Sequence, residues 1–386
     1  MPAEAGIQEC PRKAGFRVKP GMTNEFKGPM RHSTRGKTGL TRTREVMTAV
    51  LAAAASAVCF VLAPAAASPE AAPEIRLVWP SPPDPARIEY VGSISSAADL
   101  GFRKAWYERL WEFIAGPEDE RMLRPFGVSA HPEHLCVADP SAQAVHLFDR
   151  KAQRYRKVST AGRTRLVSPV GVAIGPNDNI YVTDSVLGKV FVFNASGRFV
   201  REIADGGLAR PTGIAVDAQR ARLYVVDSVA GRVVAFDLDG TRLNQFGRTG
   251  TGPGEFNRPT HVAVNPKGDV YVVDTLNHRV QAFTPEGAFL SSFGRLGNGT
   301  GDFASPKGAA MDDKGRVYVV DALFDAVQIF DPGGRLLLAL GRQGNKKGEF
   351  WLPAGIAFDG RDLLYVADSY NGRIQVFRIL PERGSS

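Results

Sequence analysis

Six aspartates fall on one spacing: Asp139, Asp184, Asp227, Asp274, Asp321 and Asp368 are 45, 43, 47, 47 and 47 residues apart. Grouped carboxylates serve calcium binding or the acid and base steps of hydrolysis. Strict repetition argues for a different duty, because an Asp at a strand end accepts hydrogen bonds from the amides of the next turn. The histidines are less regular. His261 stands where other units have Gly127, Gly171, Gly213, Gly308 and Gly355, and His278 follows Asp274 in the same unit. His261, His278 and Asp274 together make a partial metal set, whereas a catalytic zinc site needs three converging ligands and an open position. His131 and His134 belong to a turn expected at the opposite end, and His146 to an outer strand. There is no Lys-Ser/Thr phosphate loop, no Gly-x-Ser-x-Gly and no Cys-x-x-Cys. No residue is therefore assigned a catalytic role, and no metal or other cofactor is expected.

Binding chemistry is better represented. Lys189, Arg232, Arg279 and Arg373 occupy comparable loop positions in four units, with Lys307 near the expected axis and Phe324 and Tyr370 as aromatic loop residues. Arginine and aromatic side chains dominate interface hot spots. With His261 and His278 these residues form the candidate ligand-binding set.

The elements that must position them come from the repeat itself. Nine residues after each Asp stands a Phe, namely Phe148, Phe193, Phe236, Phe283, Phe330 and Phe377. Six after it stands Val145, Val190, Val233, Val280, Val327 or Ile374, and three before it Tyr181, Tyr224, Tyr271, Tyr318 or Tyr365. Cys136 takes that last place in the first unit, which reads it as a core residue. Within a unit such as 259–294, four short β-branched and aromatic runs alternate with Gly, Pro, Asn and Asp turns, the pattern of an antiparallel meander. One such sheet is marginal in water, but six set radially bury both faces against their neighbours. The expected fold is all-β, a six-bladed propeller of four-stranded antiparallel blades over 86–380. The blades run about 124–166, 167–209, 210–257, 258–304, 305–351 and 352–380. The last unit lacks an outer strand, and the segment 87–95, RIEYVGSIS, supplies it and closes the ring. Between that strand and the first blade, Trp106, Leu110, Phe113 and Ile114 mark one short inserted amphipathic helix over 102–115.

Units opening Pro-x-Gly and continuing Tyr-Val-x-Asp, Asn-x-Arg-Val-Gln-x-Phe and Phe-Gly-x-x-Gly-x-Gly-x-Phe resemble the NHL repeat family. Asn277, Arg279 and Gln281, and Asn371, Arg373 and Gln375, occupy the family positions, and the linkers GRTGTGPGEF and GRQGNKKGEF match. The resemblance implies the propeller and a single face where the loops entering the inner strands and those after the second strands open together. It implies no one activity, because similar propellers include peptide- and RNA-binding modules, bacterial envelope proteins and amidating lyases.

Of the net charge of +8, residues 1–45 hold +6, from ten basic and four acidic groups. The remainder is nearly neutral, which argues against nucleic acid. Met30 would open a compact basic segment ahead of the uncharged run 46–63, and Ala65-Ala66-Ala67 follows, the layout of an export signal over 46–67. Retained, the run 46–63 would tether the protein to a membrane. The Pro/Ala-rich stretch 68–85 reads as a semi-rigid linker and 381–386 as a tail. Cys10 and Cys59 lie in the leader and signal, so Cys136 has no partner for a disulfide. The expectation is an exported monomer, periplasmic or extracellular, without catalytic residues, that binds a protein, peptide or envelope glycan on its pore-side face. The alternative is a metal-dependent lyase or lactonase of the amidating-lyase or gluconolactonase type using His261, His278 and Asp274.

Overall fold

In the computed structural model the described residues are 76–102, 120–203 and 207–381. The chain divides into Met1–Ala72 and Pro73–Ser386, and all described residues lie in the second unit. The leader, the apolar run 46–63 and most of the expected helix over 102–115 fall outside them.

Six radial sheets follow one another along the chain. Blade 1 comprises Gly127–Ala130, His134–Asp139, Ala144–Asp149 and Arg154–Val158. Blade 2 comprises Pro169–Ile174, Ile180–Asp184, Lys189–Phe193 and Phe199–Ile203. Blade 3 comprises Pro211–Asp217, Arg222–Asp227, Arg232–Asp237 and Arg242–Phe246. His261–Val264, Val270–Asp274, Arg279–Phe283 and Phe289–Phe293 form blade 4. Pro306–Met311, Val317–Asp321, Ala326–Phe330 and Leu336–Leu340 form blade 5. Blade 6 takes Ile356–Phe358, Leu363–Asp368 and Arg373–Ile379 from the C-terminal end, and Ile88–Ile94 from the N-terminal end as its outer strand. Ile88 faces Ile379 and Ile94 faces Ile374, so the ring closes where the sequence places the closure.

The described part of the stretch 68–85, from 76 on, does more than link. Val78–Trp79 pairs with Glu89 and Ile88 as a fifth strand of blade 6, and the Trp79 ring packs 5.7 Å from that of Phe377. An indole able to bury itself against the last blade outweighs the extended preference of the prolines around it. Among the described residues there is no α-helix, only four short 3-10 turns. None is long and apolar enough to cross a membrane.

The core is divided six ways, one apolar cluster between each pair of adjacent blades. The repeated Tyr and Phe fill these clusters: Tyr181, Tyr224, Tyr318 and Tyr365 and all six repeat Phe residues are at most 1% exposed. Each blade therefore completes its neighbour's core, which is why the period, rather than any single unit, carries the stability. Cys136 is buried in the cluster between blades 1 and 2, and burial pushes its thiol far up. His146 departs from expectation. It sits on the third strand of blade 1, not the outer one, and is wholly buried.

Candidate functional site

Each repeat Asp ends the second strand and faces the first residue of the third, as Asp274 faces Arg279 and Asp368 faces Arg373. All six are fully buried. A buried carboxylate must be hydrogen-bonded throughout, and here the donors come from two directions. Asp184 accepts from Val186 and Leu187 in its own turn and from Val167 and Ser168 in the connection leading to the inner strand. Asp321 does the same with Leu323, Phe324, Ala304 and Ser305. In blades 1, 2 and 5 the carboxylate thus clamps the turn to the neighbouring segment ahead of the blade-opening proline, and Asp227 holds that segment through Ala209 and Arg210. These two sets of loops make one face of the propeller.

Blades 4 and 6 add side chains to the clamp. Asp274 accepts from Asn277 Nδ2 at 2.8 Å, Arg279 Nε at 2.9 Å and Gln281 Nε2 at 3.1 Å, and Asp368 accepts from Asn371, Arg373 and Gln375 in the same way. Arg279 also donates to the Gly252 and Glu255 carbonyls, and Arg373 to those of Lys346 and Glu349. Arg232 pairs with Asp227 and donates to Gln245 Oε1, and Lys189 pairs with Glu202 at 2.7 Å. These four loop cations of the candidate set are therefore each held by a carboxylate of their own blade. Arg279 and Arg373, only 15% and 13% exposed, present little guanidinium to a ligand.

The inner strands crowd the axis. A Cβ on Gly213 would stand 2.5 Å from the Cα of His261, and one on Gly308 2.5 Å from the Ala354 carbonyl oxygen. Only glycine allows adjacent inner strands this close. The axial cavity, lined by residues including Gly127, Gly171, Thr212, His261, Lys307 and Gly355, has a volume of about 10 Å³, room for roughly one water.

His261 takes a glycine place in this ring. Its Nδ1 accepts the Ala309 N–H of the next blade at 3.4 Å, and desolvation lowers its pKa to about 4. It is deep in the fold yet keeps some surface toward the axis. His278 caps the turn after Asp274 in the left-handed region at φ 53°, and its Nδ1 is buried without a partner. Among the described residues no three His, Cys, Asp or Glu side chains lie together as a metal set. His261, His278 and Asp274 are accordingly not assembled, because Asp274 is already saturated and His261 is turned to the blade 5 backbone. Lys307 follows the blade 5 proline at the axial mouth, half-buried, its pKa lowered by burial. Phe324 precedes the buried Asp325, whose pKa burial raises.

Tyr370 sits in the most developed surface cluster. Its ring packs 5.6 Å from that of Trp351, and the Arg124 guanidinium lies over it at 4.6 Å. Tyr370 and Trp351 stay 44% and 48% exposed, and Leu123 beside Arg124 is 51% exposed. Sequence reasoning singled out Tyr370 but missed Trp351, Arg124 and Leu123. A signal was present: Arg124 and Leu352, the neighbour of Trp351, each precede a blade-opening proline, on the same face as the turn after each Asp.

Comparison with known proteins agrees with this architecture. Residues 256–283 and 350–377 match the NHL repeat, and residues 154–243 match a family described as a 6-bladed beta-propeller. No curated protein sequence matches the chain. Among solved structures, a protein of unknown function from Bacteroides thetaiotaomicron is 19% identical, with 76% of this chain and 75% of that one covered and a TM-score of 0.54. A streptogramin B lyase is 14% identical over 67% of this chain and 94% of its own, with a TM-score of 0.51. A chain of a nidogen/laminin complex is 19% identical over 62% of this chain and 87% of its own, at 0.50. At these identities the likeness is one of fold. The chain is thus a six-bladed β-propeller that carries NHL repeats over 256–283 and 350–377.

Proposed function

We propose that the protein is an exported, non-catalytic binding module that holds a peptide, protein or envelope ligand on the face where the inner-strand loops and the second-strand turns open. The observation that carries this reading is the half-exposed stack of Trp351, Tyr370 and Arg124. Aromatic and arginine side chains held against each other without being covered are what a partner's hot spot needs. The narrow axis supports the same reading, since an organic ligand has to rest on the loops rather than enter the ring. The uncharged run 46–63 and the small residues after it support export, with the ligand met outside the cytoplasm.

Photocrosslinking in the producing cell tests the reading. A photoreactive phenylalanine analogue in place of Trp351 should give a discrete light-dependent adduct, and the same analogue in place of Lys267, in a turn of the opposite face, should give none. No adduct at 351, or equal adducts at both positions, would overturn it.

A further inference from the structure

The turn after each repeat Asp carries a second regularity. Two residues beyond the Asp stand Val186, Val229, Leu276, Leu323 and Tyr370 in blades 2 to 6, exposed by 65%, 45%, 53%, 64% and 44%. Turn tips are ordinarily polar, so five apolar ones at one repeat position call for a cause. Blade 1 has Ser141 there, and Leu123, whose N–H donates to Asp139, supplies exposed apolar surface beside it. The carboxylate clamp places these tips next to the segments ahead of the prolines, and three of those segments end in arginine: Arg124, Arg210 and Arg258. Ser228 N–H donates to the Arg210 carbonyl, which brings Arg210 beside Val229, and Leu276 N–H donates to Asn257, the neighbour of Arg258. Arg124 covers the Tyr370 ring.

All three arginines are exposed, and among the described residues none has a carboxylate within ion-pair distance. Acids elsewhere on the face are used internally, as Arg248 pairs with Glu255, Arg295 with Asp302 and Arg342 with Glu349. The turns contain one carboxylate, Asp325, and it is buried, accepting the Leu352 N–H at 2.7 Å. The exposed part of the crown is therefore apolar and cationic, three times side by side.

Resting on the binding reading above, we propose that this crown takes an acidic polypeptide segment with apolar side chains set between its carboxylates. Arginine's planar fork pairs with a carboxylate through two hydrogen bonds. Each tip exposes one large apolar side chain, since Leu187 and Phe324, which follow Val186 and Leu323, are themselves half-buried. One contact per blade suits side chains spaced along a chain better than the continuous apolar surface an amphipathic helix lays into a bilayer.

Panning a random dodecapeptide library on the full chain tests this, with enriched peptides then measured by fluorescence anisotropy. Acidic peptides rich in Leu, Ile, Phe or Trp should be enriched. Their affinity should fall about tenfold or more in R124Q/R210Q/R258Q and in L276S/L323S/Y370S, with both variants melting near the parent temperature. If either variant fails to fold, the single changes R210Q and L323S serve, and each should still weaken binding severalfold. Enriched peptides that are basic or uncharged but need the crown would overturn the acidic partner and leave the binding reading standing. Peptides indifferent to both variants, or no enrichment at all, would remove the crown as a site and the reading with it. If vesicles of phosphatidylglycerol sediment the chain in a crown-dependent way while acidic peptides do not bind, the partner is an anionic membrane and the proposal fails.

Discussion

The inner frame and the outer crown share one face of the propeller and are built on opposite terms. In the frame, polar groups are saturated: Asp274 accepts from three side chains and the Asn257 amide, and the ring of glycines presses each inner strand against the next. In the crown, Leu323, Leu276, Arg210 and Arg258 are exposed, and among the described residues neither arginine has a carboxylate within ion-pair distance. The two are joined by the repeat Asp, which spends its oxygens on holding the crown's backbone. Repetition of a buried polar residue thus signals architecture, and repetition of an exposed apolar one is what the proposed peptide site rests on.

The difference can be broken first at the frame. Arg279→Ala leaves a buried Asp274 without its cation and should cost about 3 kcal/mol or more, read as a shift in the urea midpoint. A midpoint unchanged within error would place Arg279 among the free cations of the face. Gly355→Val drives a side chain into the Phe126 carbonyl at the junction of blades 6 and 1, and should cost about 2–3 kcal/mol. Tolerance there would show that the ring can open, and with it the axial space.

A titration sharpens the contrast. His146 is buried with Nδ1 2.9 Å from the Tyr155 hydroxyl, and desolvation lowers its pKa to about 4 even with Asp139 nearby. The unfolded chain, with a histidine near pH 6.5, binds the proton first. Stability is full above that pH and falls as pH drops toward 4, by about 2 kcal/mol between pH 7 and pH 5. Gln stands at the matching place in blades 4, 5 and 6, as Gln281, Gln328 and Gln375. His146→Gln should remove part of the pH dependence of melting and leave the part due to His261. Smallest of all, Leu323→Ser should change stability by no more than about 0.5 kcal/mol while weakening peptide binding. A larger loss of stability would make Leu323 part of the frame.

Much of this fold was legible because a propeller repeats its constraints. One Asp, one Phe and one Tyr position, each buried six or nearly six times over, disclose the period without any knowledge of contacts. The missing last strand disclosed the closure by Ile88–Ile94. Val78–Trp79 was not legible, since its two residues lie among prolines and gain their place only from the surface of blade 6. The candidate site divided the same way. Tyr370 was visible as an aromatic in a loop, but its partners Trp351 and Arg124 lie 19 residues away in one case and 246 in the other.

The amino-acid sequence alone determined the six blades and the architectural role of the aspartates, because each depends on local period and strand alternation. Tertiary structure decided which cations are free. Arg279 and Arg373 look as available as Arg210 and Arg258 in the chain, yet the first two are bonded by carboxylate and carbonyl oxygens and the last two reach solvent. A guanidinium is consumed by whatever acceptors surround it, and those acceptors come from segments distant in sequence that only the closed ring brings together.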